Sequence, residues 1–350
     1  MTFWKDKRVL VTGHTGFKGG WLSLWLQKLG AQVIGYSLEP NTSNNLFTIA
    51  AVGQNMVSVI GDIKDGMALE QIVKEHKPEI VFHLAAQPLV RISYTNPIDT
   101  FAVNVMGTVN VLNAARMSES IKAVVNITTD KCYENLEWDW PYRETDRLGG
   151  YDPYSSSKAC SELITESYRK SFLAEQRIHV ATVRAGNVIG GGDWSADRLI
   201  PDLIDSILVG RLPKIRNPYA VRPWQHVLEP LQGYLTLGEK LYSDEGLYAS
   251  AWNFGSGEES TLTVGEVTDR TLKLWGSDLA WEYDKAEHPH EAQILKLDSS
   301  KARNKLKWKP RLSVYDALKW TIDWYKQFEE KQPMRDFTLQ QIEAYERKRY

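Results

Sequence analysis

The sequence predicts an α/β protein: a doubly wound parallel sheet followed by a smaller, loop-rich C-terminal lobe. Three observations predict it. Short apolar, β-rich runs alternate with stretches of helical periodicity through the first half of the chain. A glycine-rich turn, Gly13, Gly16 and Gly19, closes the first of those runs. After Gly190 the alternation gives way to segments rich in proline and tryptophan. Short continuous apolar runs separated by helices mark strands buried on both faces, and right-handed crossovers wind such strands into one sheet with helices on either side.

The strands are expected at Arg8 to Val11, Gln32 to Tyr36, Val57 to Ile60, Ile80 to Leu84, Ala123 to Ile127 and His179 to Val183. Between them Trp21-Leu22-Leu24-Trp25-Leu26-Leu29 and Val103-Val109-Val111-Leu112 recur at helical spacing. Residues 1–188 form the first expected domain and residues 189–350 the second, with the chain crossing back to the sheet around 227–255. Leu228 to Leu241 reads as a helix, Trp252 to Phe254 as a strand and Val314 to Phe328 as an amphipathic helix. The polar, charged C-terminal stretch reads as a solvated helix.

Composition bounds the function. A length of 350 residues fits about two domains. The formal net charge of −2 gives no electrostatic footprint for nucleic acid or an anionic membrane. Two cysteines supply no disulfide framework, which favours a reducing compartment. The charged start, MTFWKDKRVLVTG, lacks a signal-peptide core, and no apolar run approaches the ~18 residues of a membrane span. A cytoplasmic protein is expected.

The strand–turn–helix at Val9 to Gly19 has the form of a phosphate loop of the Rossmann type. Gly13 makes the tight turn, Gly16 lets the backbone approach a pyrophosphate, and Gly19 lets the helix pack against the strand. Thr15, Phe17 and Lys18 lie in the same loop and are expected cofactor neighbours. An acid usually follows the second strand to accept from the adenine ribose, but Ser37 stands there and Glu39 comes late. No Arg or Lys is placed to receive a 2′-phosphate, which favours NAD over NADP. Asp62 and Ile63, after the third strand, are candidates for the adenine edge; a plain strand-end loop is the alternative.

Tyr154 and Lys158 are the second anchor. Asp152 suits an N-cap and Pro153 a first helical position, so Tyr154 opens a helix and Lys158 lies one turn on, on the same face. A phenol with an ordinary pKa of ~10 needs ~4 kcal/mol to ionise near neutrality. One cation about 4 Å away, at an effective dielectric of ~20, supplies ~4 kcal/mol. Lys158 is therefore expected to bring Tyr154 close to a usable base, with an oxidised nicotinamide adding to the effect.

These motifs make the chain resemble the extended short-chain dehydrogenase/reductase family over nearly its whole length, including the Gly-x-x-Gly-x-x-Gly spacing of that branch. The resemblance implies that Leu84, Ala85 and Ala86 in Phe82-His83-Leu84-Ala85-Ala86 line the cofactor, that Asn104 is the family's helix residue beside it, and that Thr129 bonds the sugar hydroxyl. Gln87 is expected on the substrate side. Thr128-Thr129-Asp130-Lys131-Cys132-Tyr133 then points to a branch. A 4-epimerase needs no acid and base after the Thr, whereas the nucleotide-sugar 4,6-dehydratases carry Thr-Asp-Glu; here Lys131 replaces the Glu. With GHTGFKGGWLSLWL, TTDKCYEN, RAGNVIGGGDW and RPWQHVLEP, the chain is similar to the dehydratases that act on CDP-glucose.

The resemblance implies oxidation at C4 by Tyr154 and NAD, elimination across C5–C6, and return of hydride to C6. Asp130 would be the acid for the leaving C6 hydroxyl. Lys131, or a base it positions, would take the C5 proton; the alternative is that Lys131 merely orients the sugar or pairs with Glu134. Asn187 and Arg222 are implied as substrate contacts, a guanidinium fork suiting two phosphate oxygens. Arg198 and Lys214 are further phosphate candidates. A homodimer built on helices near 98–116 and 152–173 is implied, with a tetramer open. A 4-epimerase using the same Tyr/Lys pair, a non-catalytic dinucleotide sensor and a free NADP-dependent reductase are the alternatives. Trp194 and Trp224 read as core, Cys132 as a buried thiol and Cys160 as packing. Glu287, His288, His290 and Glu291 imitate a metal cluster, but Pro289 makes a loop there and no metal is expected.

Overall fold

The computed structural model describes residues 3–244, 246–257, 260–286 and 294–348. The main sheet contains β1 (Arg8–Thr12), β2 (Gln32–Ser37), β3 (Val57–Ile60), β4 (Ile80–His83), β5 (Ala123–Ile127), β6 (His179–Arg184) and β7 (Ala251–Asn253). Across the sheet these seven strands run β7-β6-β5-β4-β1-β2-β3. Every pairing is parallel. The expected doubly wound sheet is found, each of the first six strands ending within a residue of the position read from sequence. The order reverses at β1, which lies between β2 and β4, and a crevice opens beyond the carboxyl ends at that point.

The helices that matter for the site are α1 (Phe17–Lys28), α2 (Gly107–Arg116), α3 (Pro153–Tyr168), α4 (Leu228–Ser243), α5 (Val314–Glu329) and α6 (Met334–Arg347). Side chains alternate across the sheet. Val9 and Val11 of β1 join one core with Trp21 and Leu24 of α1, Leu231 of α4, Trp324 of α5 and Tyr345 of α6. Leu10 faces the opposite core with Val124 of β5, Val111 and Leu112 of α2, and Leu173.

Helix α1 is buried all along Gly19 to Leu26 because it is sandwiched between the sheet and α6. Trp25 Nε1 donates to Glu346 Oε1 at 2.7 Å, and Lys28 pairs with the same carboxylate. The C-terminal stretch is thus a helix, but not the solvated one expected. Met334, Thr338, Ile342 and Tyr345 recur at helical spacing and are buried, and Tyr345 Oη donates to Glu229 Oε2 at 2.6 Å. Its few apolar residues are hidden in a charged composition; their spacing was the signal.

Two short pairings bring the second half of the chain over the crevice. Val188–Ile189 pairs in parallel with Gln225–His226, and Val221–Pro223 pairs antiparallel with Thr261–Thr263. They carry Asn187 and Arg222 to the cavity wall. Among the described residues no helix is long and apolar enough to cross a membrane.

Candidate active site

A cavity of about 920 Å³ opens along the carboxyl ends of β1 to β6. Its first wall is backbone. Gly13 has φ +78, and a Cβ there would come within 2.8 Å of the Ala85 nitrogen. A Cβ on Gly19 would lie 2.0 Å from the Gly13 carbonyl oxygen, so the helix reaches the strand only because position 19 is glycine. Helix α1 starts at Phe17 with Gly16 as its cap and no side chain bonded to its first amides. Those N–H groups, and the positive end of the helix, are left for an anion. Thr15, Phe17 and Lys18 complete the loop on the cavity wall. This cradle fits a dinucleotide pyrophosphate.

At the β2 end, Thr15 Oγ1 donates to the Leu38 carbonyl at 2.8 Å. Its contact with Ser37 Oγ, also 2.8 Å, is then donated by Ser37, whose own oxygen stays free to accept. The cavity wall from Tyr36 to Thr42 contains no Lys or Arg. Asp62, Ile63, Leu84, Ala85 and Ala86 line the neighbouring stretch.

Asn104 and Gln87 are not on the wall. Asn104 sits in a π-helical turn, Ala102–Met106, just before α2, and is 1 % exposed. Its side chain accepts from Gln87 N at 2.8 Å and donates to Gln87 O at 3.0 Å and Ser157 Oγ at 2.9 Å. The Gln87 side chain turns away to Leu89 and Thr100. Both residues fix the loop behind the cavity; no contact from either side chain reaches into it.

The second wall is made of side chains. Beyond β5 the chain makes one 3-10 turn, Asp130–Cys132, capped by Thr129. Thr129 Oγ1 donates to Asp130 Oδ1 at 3.0 Å. Thr129, Asp130 and Lys131 all line the cavity, the first two buried. Glu134 is paired with Arg147 at 3.1 Å, so the alternative pairing of Lys131 with Glu134 is not seen. Helix α3 begins as expected: the Asp152 carboxylate accepts from Ser155 N at 2.9 Å and from Ser155 Oγ at 2.6 Å, and Pro153 is the first helical residue. Tyr154 and Lys158 both face the cavity.

Their electrostatics differ from the expectation. Burial pushes the Tyr154 phenol up to about 12, against the opposing pull of the Thr129 hydroxyl and the Arg198 cation. Burial also pulls Lys158 down to about 8, opposed by the Glu162 carboxylate. The Lys158 ammonium donates to the Ile127 carbonyl at 3.1 Å. Spacing revealed that the two residues share a face, but not how deeply both are buried, and Lys158 alone does not bring Tyr154 toward neutrality.

Lys18 is pulled down to about 8 by burial, with Arg198 and Lys158 pushing the same way and Asp130 and Asp193 opposing. Arg198 pairs with Asp193 at 3.5 Å. Asn187, Arg198 and Arg222 line the cavity, whereas Lys214 is exposed on a separate strand and does not. Cys132 is fully buried, and burial raises its thiol well above the ordinary range, which leaves it inert. Glu287, His288, His290 and Glu291 lie outside the described residues.

The profile of the GDP-mannose 4,6 dehydratase family matches residues 10–321. The chain belongs to that family. It is 52% identical over 329 residues to the CDP-glucose 4,6-dehydratase of Salmonella typhimurium, covering 93% of this chain and 92% of that one. The structure of dTDP-glucose 4,6-dehydratase from Streptomyces venezuelae with NAD and TYD bound superposes with a TM-score of 0.79 at 25% identity, over 93% of this chain and 99% of that chain. The UDP-glucose 4-epimerase of Thermotoga maritima shares the fold, with a TM-score of 0.81 at 24% identity over 92% and 99% of the two chains.

Sequence reasoning missed other residues on the cavity wall of this 4,6 dehydratase family member. A Cβ on Gly186 would come within 2.4 Å of Asp130 Oδ2, so that glycine makes the space the carboxyl occupies. Asp197 is shared by Arg91 and Arg216, each 3.1 Å away, and so ties the loop after β4 to the far side of the cavity. The Gly in Arg184-Ala185-Gly186-Asn187 was a visible signal. The link from Arg91 to Asp197 had none.

Proposed function

We propose that the protein converts CDP-D-glucose to CDP-4-keto-6-deoxy-D-glucose as an NAD-dependent nucleotide-sugar 4,6-dehydratase. The observation that carries the reading is the Asp130–Lys131 turn set on the same cavity as Tyr154 and Lys158, an acid and an amine beyond what oxidation at one carbon requires. The cytidine diphosphate comes from the 52% identical relative. NAD, when bound, supplies hydride storage between C4 and C6. The glycine cradle holds its pyrophosphate, and Ser37, with no neighbouring cation, takes the ribose in preference to a 2′-phosphate.

Tyr154, once ionised, takes the proton from the C4 hydroxyl, and Thr129 holds that hydroxyl in line. The 4-ketone makes the C5 proton acidic. Lys131, or a base it positions, takes that proton, and Asp130 in its acid form protonates the C6 hydroxyl, which departs as water. Arg222, Arg198 and Asn187 hold the diphosphate end. In this reading residues 1–188, with the returning 227–255, grip the dinucleotide, and 189–350 supply the substrate side.

Incubation with the CDP-, UDP-, GDP- and dTDP-glucose donors tests this directly. Loss of one water from CDP-glucose, with no net consumption of dinucleotide, is the expected result. An epimerase would leave the mass unchanged, and a free reductase would consume its cofactor. The reading extends to a cytoplasmic homodimer. Both cysteines are free, and Leu163 on α3, with Ile98, Met106 and Phe172 on the helical segments that adjoin α2 and α3, leaves apolar surface there. Sedimentation of the purified protein as a single-mass dimer is expected.

A further inference from the structure

Glu162 and Arg184 form an ion pair whose side chains are each only 3% exposed. The pair is bidentate: Arg184 Nε donates to Glu162 Oε1 and Nη2 to Oε2, both at 2.8 Å. Neither residue lines the cavity, and neither has a part in the chemistry above. A buried pair repays its desolvation only with good geometry and further hydrogen bonds. Where those further bonds go is informative.

Glu162 Oε1 accepts from Thr128 Oγ1 at 2.5 Å, and Oε2 accepts from Thr182 Oγ1 at 2.6 Å. Arg184 Nη1 donates to Tyr133 Oη at 2.6 Å, and its guanidinium lies 4.7 Å from the centre of the Tyr133 ring. Tyr133 Oη in turn donates to Asn253 Oδ1 at 2.9 Å. Thr128 is the residue before Thr129, and Tyr133 follows Cys132. The two ends of the turn that carries Asp130 and Lys131 are therefore tied to one ion pair. Glu162 stands on α3, one turn beyond Lys158 and two beyond Tyr154, on the same helical face.

We propose that the Glu162–Arg184 pair is a positioning element that holds the Asp130–Lys131 turn in register with Tyr154 and Lys158, so that elimination of water depends on it more than hydride exchange at C4. The inference rests on the dehydratase reading. Tyr154 and Lys158 lie on α3 itself and keep their mutual geometry when the turn shifts. Asp130 and Lys131 do not. Misplacement of a reacting group by about 1 Å can cost up to ~100-fold in rate.

Substituting the ion pair risks unfolding the protein and alters the charge beside Lys158, so the test removes only the tethering hydroxyls. Thr128→Val leaves Glu162 with its Arg184 and Thr182 donors. Tyr133→Phe leaves Arg184 Nη1 the Glu144 carbonyl at 3.3 Å. In the full-length protein the thermal midpoint should fall modestly, because each substitution strips one buried hydrogen bond, while the dinucleotide affinity by calorimetry and the KM for CDP-glucose should stay near wild type. Water loss should fall about tenfold while C4 oxidation persists, seen as a larger transient of reduced-nicotinamide absorbance. Thr128→Ser should restore the wild-type ratio, and Thr128→Val in an Asp130→Asn background should cost clearly less than it does alone, because part of its effect acts through Asp130 and only the part through Lys131 remains. Parallel loss of both steps, unchanged ratios, or losses that multiply in the double variant would overturn the proposal. A wild-type protein that releases no water from CDP-glucose would instead bring down the dehydratase reading, and the proposal with it.

Discussion

The two walls of the cavity are built from different materials. The wall at the ends of β1 and β2 is backbone: Gly13, Gly16 and Gly19, the uncapped amides of α1 and a pair of hydroxyls. The wall at the β5 turn and beyond β6 is side chains: Asp130, Lys131, Tyr154, Lys158, Arg198 and Arg222. A backbone wall is rigid and general, and suits a dinucleotide that is bound in the same way every turnover. A side-chain wall can place an acid, a base and a guanidinium against one particular sugar, but its charges depend on how deeply each is buried.

The sharpest way to separate the walls is Asp130→Asn. It removes a proton donor without changing shape, so water loss should fall about a thousandfold while reduced nicotinamide still forms in a single turnover. If oxidation stops as well, the division of labour is wrong. Gly19→Ala attacks the other wall. Its new Cβ has no room beside Gly13, 2.0 Å away, and dinucleotide affinity measured by calorimetry should drop about a hundredfold or more. Retained affinity would mean that the backbone is not the binding surface.

Gly186→Ala probes where the walls meet. Its Cβ would press on Asp130 Oδ2 at 2.4 Å, so kcat should fall about tenfold with dinucleotide affinity and KM little changed. The smallest effect concerns stability. His14 is held down to about 4, and His83 and His226 to about 3, chiefly by burial, from an ordinary value of 6.5. Between those values the unfolded chain binds protons that the folded chain refuses. Their contribution to stability is complete above about pH 6.5 and is lost as the pH falls toward 3–4. Urea midpoints should decline through that window, and His226→Asn should flatten the slope.

The backbone wall was legible in the sequence because glycine spacing is a local signal read against one strand and one helix. Tyr154 and Lys158 were legible for the same reason: Asp152, Pro153 and the four-residue interval specify one stretch of helix. The acidity of Tyr154 was not, since it depends on burial by residues distant in the chain. Asn104 was placed on the right helix, but in a π turn that directs it to Gln87 and Ser157 rather than the cavity. The glycine at 186 is visible in the sequence, but its reason, the Asp130 carboxyl, appears only when the two are brought together in space. The half-buried C-terminal helix shows the same limit, its partner being α1 at the opposite end of the chain.

That last contact bears on how the protein is made. Helix α1, which presents its amino end to the phosphates, is covered on its outer side by residues as far as 321 positions further along the chain. On the ribosome, Trp25 must wait for Tyr345 and Glu346 before its layer is complete. The outer layer of the nucleotide-gripping half therefore closes late in synthesis, once a segment far along the chain has folded back onto it.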